Sequence, residues 1–123
     1  LVTNDYELEM VIKATGQTRD QIKARTSVLA TTLGEKGALL AMNGEEIRVP
    51  AARAERTLDP TGAGDAWRAG LLRGLAQGKS LDEAARLGAV CAAYAVECRG
   101  TQEHRFSQDE FAARYRENFG SPA

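Results

Sequence analysis

A chain of 123 residues is one domain or part of one, long enough to bury a core. Sixteen basic residues against seventeen acidic ones leave a net charge of −1, so no broad field draws nucleic acid or a membrane surface. No apolar run approaches the ~20 residues that span a bilayer, and the first residues carry no signal-peptide pattern.

In chain order, Asn4-Asp5-Tyr6-Glu7 opens a helix that the pattern carries to about Ala14. Asn4 is a good N-cap, Glu7 can reach back to it, and Leu8, Val11 and Ile12 form the apolar stripe that Gly16 ends. A second short helix is predicted from about Thr18 to Arg25. The period then changes. Residues 27–33 are apolar and β-branched over a strand's length, 34–37 turn, and Ala38–Met42 return as a second strand. Asn43-Gly44 is a strong hairpin turn leading into a third strand, Glu45–Val49, with Pro50 as its stop. Residues 51–58 read as a connector.

A helix from about Gly62 to Gln77 follows, with Ala66, Trp67, Gly70, Leu71 and Leu75 on its packed face and Arg68 and Arg73 in solvent. Ser80 to Glu83 is a capping-box pattern for a deeply packed helix reaching about Glu97. Ser107 to Glu110 is another, for a final amphipathic helix with Phe111, Tyr115 and Phe119. Cys91 and Cys98 lie seven apart in a helical pattern. That puts their Cα atoms ~10 Å apart, too far for a disulfide. They match no zinc spacing, and two reduced thiols suit a cytoplasmic protein. The order helix, helix, three strands, helix, helix, helix is an α/β arrangement with too few strands to close a unit, so it reads as a piece of a larger sheet.

Two phosphate-site resemblances fail on inspection. Gly74-Leu-Ala-Gln-Gly78-Lys79-Ser80 has three residues between its glycines where a P-loop needs four, and it sits at a helix end. Gly62-Ala63-Gly64 lacks the third glycine of a dinucleotide fingerprint, since Trp67 stands there. Asp59-Pro-Thr-Gly-Ala-Gly-Asp65 is different. Glycines are poor helix-starting chemistry unless backbone must approach a ligand closely, and the start of a helix offers free N–H groups and a positive dipole end. Acids stand at both ends of the loop, and a packed helix follows to hold it rigid. The plain alternative is an ordinary turn with an acid in the first helical turn.

The stretch Asp59 to Ala66 resembles the C-terminal signature of the ribokinase family, also called the phosphofructokinase-B or carbohydrate/adenosine kinase family. Thr32-Leu-Gly34-Glu-Lys-Gly37 resembles its ATP loop, Asn4-Asp-Tyr-Glu7 its Asn-x-x-Glu motif, and Glu97 to Gln102 the segment closing the nucleotide side. The order is the family's order. The resemblance implies the C-terminal part of a three-layer α/β/α fold and an ATP- and Mg²⁺-dependent kinase. Asp65 would be the base that takes the acceptor hydroxyl's proton, and Gly62, Ala63 and Gly64 the anion hole for the γ-phosphoryl group. Thr32, Gly34 and Gly37 would contact ATP phosphates or ribose, and Ala89 would line the adenine pocket. Asn4 and Glu7 would organise Mg²⁺ through water, where the bland reading is an N-cap and its box partner. Asp59, Thr61 and Gly100 would shape a monovalent-cation site, K⁺ for instance. His104 reads as a surface or structural residue and Trp67 as a packing variant of the usual Phe.

Pro60, Arg68-Ala-Gly70 and Gly100 to Glu103 look like the bacterial adenosine-kinase-like branch, which suggests adenosine as acceptor, with ribose and fructose-type sugars as alternatives. Family members also have a large N-terminal portion with most substrate-binding residues and a stranded lid. The chain starts at Leu1 and reads as entered just before Asn-x-x-Glu, so the expectation is little or no kinase activity from these 123 residues alone. The implied partners are ATP, a small sugar or nucleoside and that N-terminal part; a homodimeric parent is compatible. The competing class is a nucleotide-binding module without catalysis.

Overall fold

A computed structural model describes residues 1–121. The chain divides into two compact units, Leu1–Val49 and Pro50–Ala123.

The first unit is a four-stranded sheet with two helices. Strand β1 (Val2–Asn4) runs into α1 (Asp5–Thr15) and α2 (Arg19–Ala24), and the chain then enters β2 (Val28–Thr32). β1 and β2 are parallel, with Val2 opposite Ala30 and Asn4 opposite Thr32. A parallel pair needs a crossover, and the two helices supply it. β3 (Ala38–Met42) and β4 (Glu45–Val49) add antiparallel, giving the order β1-β2-β3-β4. Leu8 and Ile22 from the helices pack with Leu29 and Ala41 of the sheet, flanked by Val11 and Ile12. Asn43 (φ 52°) and Gly44 (φ 80°) both take the left-handed conformation that lets a two-residue hairpin follow the strand twist.

Strand β1 corrects the sequence reading, which began with a helix and counted three strands. Three residues carry no detectable period. Their strand state comes from pairing with a partner 28 positions on, which no local pattern reports.

The second unit is helical: α3 (Ala63–Ala76), α4 (Leu81–Val96) and α5 (Gln108–Phe119). Small residues set the α3–α4 crossing. A Cβ on Gly70 would lie 2.6 Å from the Gly88 Cα, one on Gly88 2.6 Å from the Trp67 carbonyl oxygen, and one on Gly74 2.7 Å from the Ala84 Cα. Backbones that close leave room for no methyl group. Trp67, only 5% exposed, lies against Gly88 at this crossing. On its other side α4 meets α5, where Val90, Tyr94 and Tyr115 pack with Leu87, Phe111, Phe119 and Ala52. Phe106 packs against both Tyr94 and Phe111 with its ring tilted to each, and the single histidine, His104, lies beside Phe106. Cys91 and Cys98 are free thiols. Burial pushes the Cys91 thiol up to about 11, far from reactive. Among the described residues, no helix is long and apolar enough to cross a membrane.

Candidate active site

Helix α3 begins without a side-chain cap. Its N-cap is Gly62, at φ 83°, where no L side chain sits comfortably. A Cβ there would also come within 3.0 Å of the Thr101 Cα, so glycine is required twice over. The Ala63 N–H is taken by the Pro60 carbonyl at 3.2 Å, and Ala66 returns the first helical bond to Gly62. Among the described residues, the N–H groups of Gly64 and Asp65 find no acceptor. Of the predicted anion hole, Ala63 therefore has its donor engaged in the turn, while Gly64 and Asp65 point theirs out.

Gly64 is informative for another reason. It has helical backbone and a Cβ would meet nothing within 4 Å, so neither strain nor packing in this chain explains the glycine. The missing side chain leaves the backbone there open to close approach. Beside it the Asp65 side chain is 83% exposed, and its Oδ1 accepts from Arg68 Nη1 at 3.0 Å. The sequence reading placed Arg68 simply in solvent. The opposite charge three positions back, at Asp65, was the available signal.

Asp59 braces the loop. Its Oδ1 accepts from the Thr61 N–H at 2.9 Å and its Oδ2 from the Gly100 N–H at 2.9 Å. The Leu58 and Asp59 N–H groups both donate to the Val96 carbonyl, so the segment before α3 is bound to the end of α4. The Thr61 hydroxyl, with the Gly100 and Thr61 N–H groups, holds the Asp59 carboxyl down to about 2 from an ordinary 3.8. A carboxylate depressed on folding stabilises the native state above its unfolded value and loses that contribution as pH falls through its folded one. The stability difference between wild type and Asp59→Asn is therefore expected to shrink between about pH 4 and pH 2. Urea unfolding of both at stepped pH reads it, and a constant difference contradicts it. Asp59, Thr61 and Gly100, predicted as cation-site residues, are thus brought together, with Gly100 presenting its N–H to Asp59.

Behind this loop lies a network that sequence reasoning missed. Glu97, at the C-cap of α4, accepts from Arg114 of α5 and, at 3.1 Å, from the Glu55 N–H. The Glu97 and Arg114 side chains are only 11% and 10% exposed. Arg114 also reaches Glu55 at 3.4 Å and lies 3.9 Å over the Tyr94 ring. An acid at a helix C-terminus opposes the dipole, which was a legible sign that Glu97 has a partner elsewhere. Ala89, by contrast, sits buried midway along α4 at 6% exposure.

In the first unit the predicted residues gather at the carboxyl ends of the parallel strands, where α/β sheets bind ligands. Asn4 ends β1, Thr32 ends β2 directly opposite, and the Gly34–Lys36 turn leads back into β3. Gly34 (φ 62°) and Gly37 (φ 90°) both need glycine for this turn, which the Gly37 N–H closes on the Gly34 carbonyl at 3.1 Å. Asn4 and Glu7 form the reciprocal cap: Asn4 Oδ1 accepts from the Glu7 N–H at 2.7 Å, and Glu7 Oε2 from the Asn4 N–H at 3.0 Å. One oxygen of each side chain is thus engaged in the cap.

Comparison with known proteins places these features in one lineage. The profile described as pfkB family carbohydrate kinase matches residues 1–107, which include every predicted site residue. A nucleoside kinase of Methanocaldococcus jannaschii is 32% identical over 114 residues, covering 93% of this chain and 38% of that protein. The structure of Burkholderia thailandensis nucleoside kinase in complex with inosine superposes at TM-score 0.95 with 38% identity, over 99% of this chain and 41% of that one. The same enzyme's structure in complex with ADP-inosine gives 0.94 and 39%, over 97% and 37%. Thermotoga maritima ribokinase superposes at 0.80 with 27% identity, over 93% and 41%. The chain thus spans about two fifths of the length of these relatives and has a ribokinase-like α/β fold. With a family profile matched over 107 residues, and a glycine-rich helix start that exposes two N–H groups beside a carboxylate, the chain belongs to the pfkB family of carbohydrate kinases.

Proposed function

We propose that the full-length protein transfers the γ-phosphoryl group of ATP to a hydroxyl of a nucleoside, adenosine being the first acceptor to test and ribose or a fructose-type sugar the alternative. The observation that carries this is the open start of α3, where the unpaired N–H groups of Gly64 and Asp65 lie beside the exposed Asp65 carboxylate. Amides aimed at a transferring phosphoryl group need no reorganisation when charge shifts during the reaction. A carboxylate next to them is placed to take the acceptor proton, and a loose transition state asks little of that base.

Gly62 gives the loop its left-handed turn, and Ala63 spends its N–H on Pro60 to fix the loop's shape. Thr32, Gly34 and Gly37 serve the nucleotide, the glycines by letting backbone come close, and Ala89 lies on the adenine side. Asn4 and Glu7 hold water around Mg²⁺, which offsets phosphate charge when bound. Asp59, Thr61 and Gly100 keep the anion loop in place, with a monovalent cation as an added brace. Nucleoside kinases among the relatives favour the nucleoside over the sugar.

The test is ATP-dependent turnover by the full-length protein on a panel of adenosine, inosine, ribose and fructose. A nucleoside should give the highest kcat/KM. A sugar at the head of the ranking would move the assignment to the alternative, and ATP binding without turnover of any acceptor would favour a non-catalytic module.

A further inference from the structure

We infer that Arg68 is a positioning residue for the phosphoryl-transfer step, holding the Asp65 carboxylate by one oxygen so that the other faces the acceptor hydroxyl; this rests on Asp65 being the base. Asp65 is 83% exposed and has no side-chain or backbone donor other than Arg68 among the described residues. An aspartate so exposed would otherwise sample several rotamers, and only some aim an oxygen at a substrate. The Arg68 side chain is itself 35% exposed, so most of it is packed while its guanidinium reaches Asp65 Oδ1 at 3.0 Å. Trp67 and Gly70, close by on the same helix, are locked at the α3–α4 crossing and fix the backbone that carries Arg68.

As a stabilising contact the pair is slight, because an exposed ion pair one helical turn apart contributes little. Its value lies in orientation. A reacting group misplaced by about an ångström can lose as much as ~100-fold in rate. Oδ1 accepts from Arg68, and Oδ2 is left to accept the proton. Nothing is oxidised or reduced. The proton moves from the acceptor hydroxyl to Oδ2 as the hydroxyl oxygen bonds to phosphorus and the bond to the departing ADP oxygen breaks.

The experiment compares Arg68→Gln, Arg68→Lys and Asp65→Asn with wild type in the full-length protein, using ATP and the best nucleoside of the panel. Arg68→Gln should lower kcat about tenfold with both KM values within about twofold, and Arg68→Lys should recover most of the loss. Thermal unfolding of Arg68→Gln should show the protein fully folded at the assay temperature, which separates positioning from folding. An unchanged kcat, or a loss carried entirely by KM, overturns the inference while leaving Asp65 as base. If Asp65→Asn keeps wild-type kcat, the base assignment falls and the role of Arg68 falls with it.

Discussion

Asp65→Asn in the full-length protein is expected to lower kcat about 10²- to 10⁴-fold, the range a positioned general base contributes, with the KM for ATP nearly unchanged. Asparagine keeps the shape of aspartate, and its amide oxygen can still accept from Arg68. The loop is held by Asp59 through Thr61 and Gly100, none of which the substitution touches. The Gly64 and residue-65 N–H groups are backbone and survive too, so phosphate binding should persist. What is lost is a proton acceptor beside the acceptor hydroxyl. Steady-state kinetics with ATP and nucleoside varied in turn would separate the two parameters. A fall of less than about tenfold in kcat would mean that Asp65 is not the base.

The second large effect concerns stability. Arg114→Ala should destabilise the second unit by about 3–5 kcal/mol, because it leaves the Glu97 carboxylate buried with only the Glu55 N–H to offset its charge. Glu97→Ala should cost a similar amount by stranding the guanidinium, although Glu55 at 3.4 Å and the Tyr94 ring remain beside it. Removing both should cost clearly less than the sum, since neither charge is then left alone. The only tryptophan, Trp67, is buried in the same unit and reports its unfolding by fluorescence in urea. Additive losses in that double-mutant cycle would show that the pair is not coupled.

Most of the helices could be read from their ends. Asn4 with Glu7 and Ser107 with Glu110 form reciprocal caps, and Ser80 supplies the half of its box in which its hydroxyl accepts from the Glu83 N–H. Such caps are local, so sequence displays them. The hairpin was equally plain, since Asn43-Gly44 can do little else well between two strands. The candidate loop was legible because glycines at a helix start contradict helix propensity and call for a reason. What stayed hidden was the long-range bonding. Asp59 meets Gly100 across 41 positions, and Arg114 meets Glu97 across 17. No period or propensity encodes either pairing. β1 was hidden for the same cause, a strand made by its neighbour. Asn4 shows a subtler case, where one side chain caps a helix and also stands at the carboxyl end of a parallel strand, so the local reading was right without excluding the other.

In the proposed function, the loop from Asp59 to Asp65 serves phosphoryl transfer from ATP to an organic hydroxyl. Phosphorus NMR of the full-length protein with ATP, Mg²⁺ and adenosine tests it most directly. ADP and a phosphate monoester of the nucleoside are expected in equal amounts, and neither product with Asp65→Asn on the same timescale. ADP with inorganic phosphate alone, or monoester formed equally well by Asp65→Asn, would contradict it.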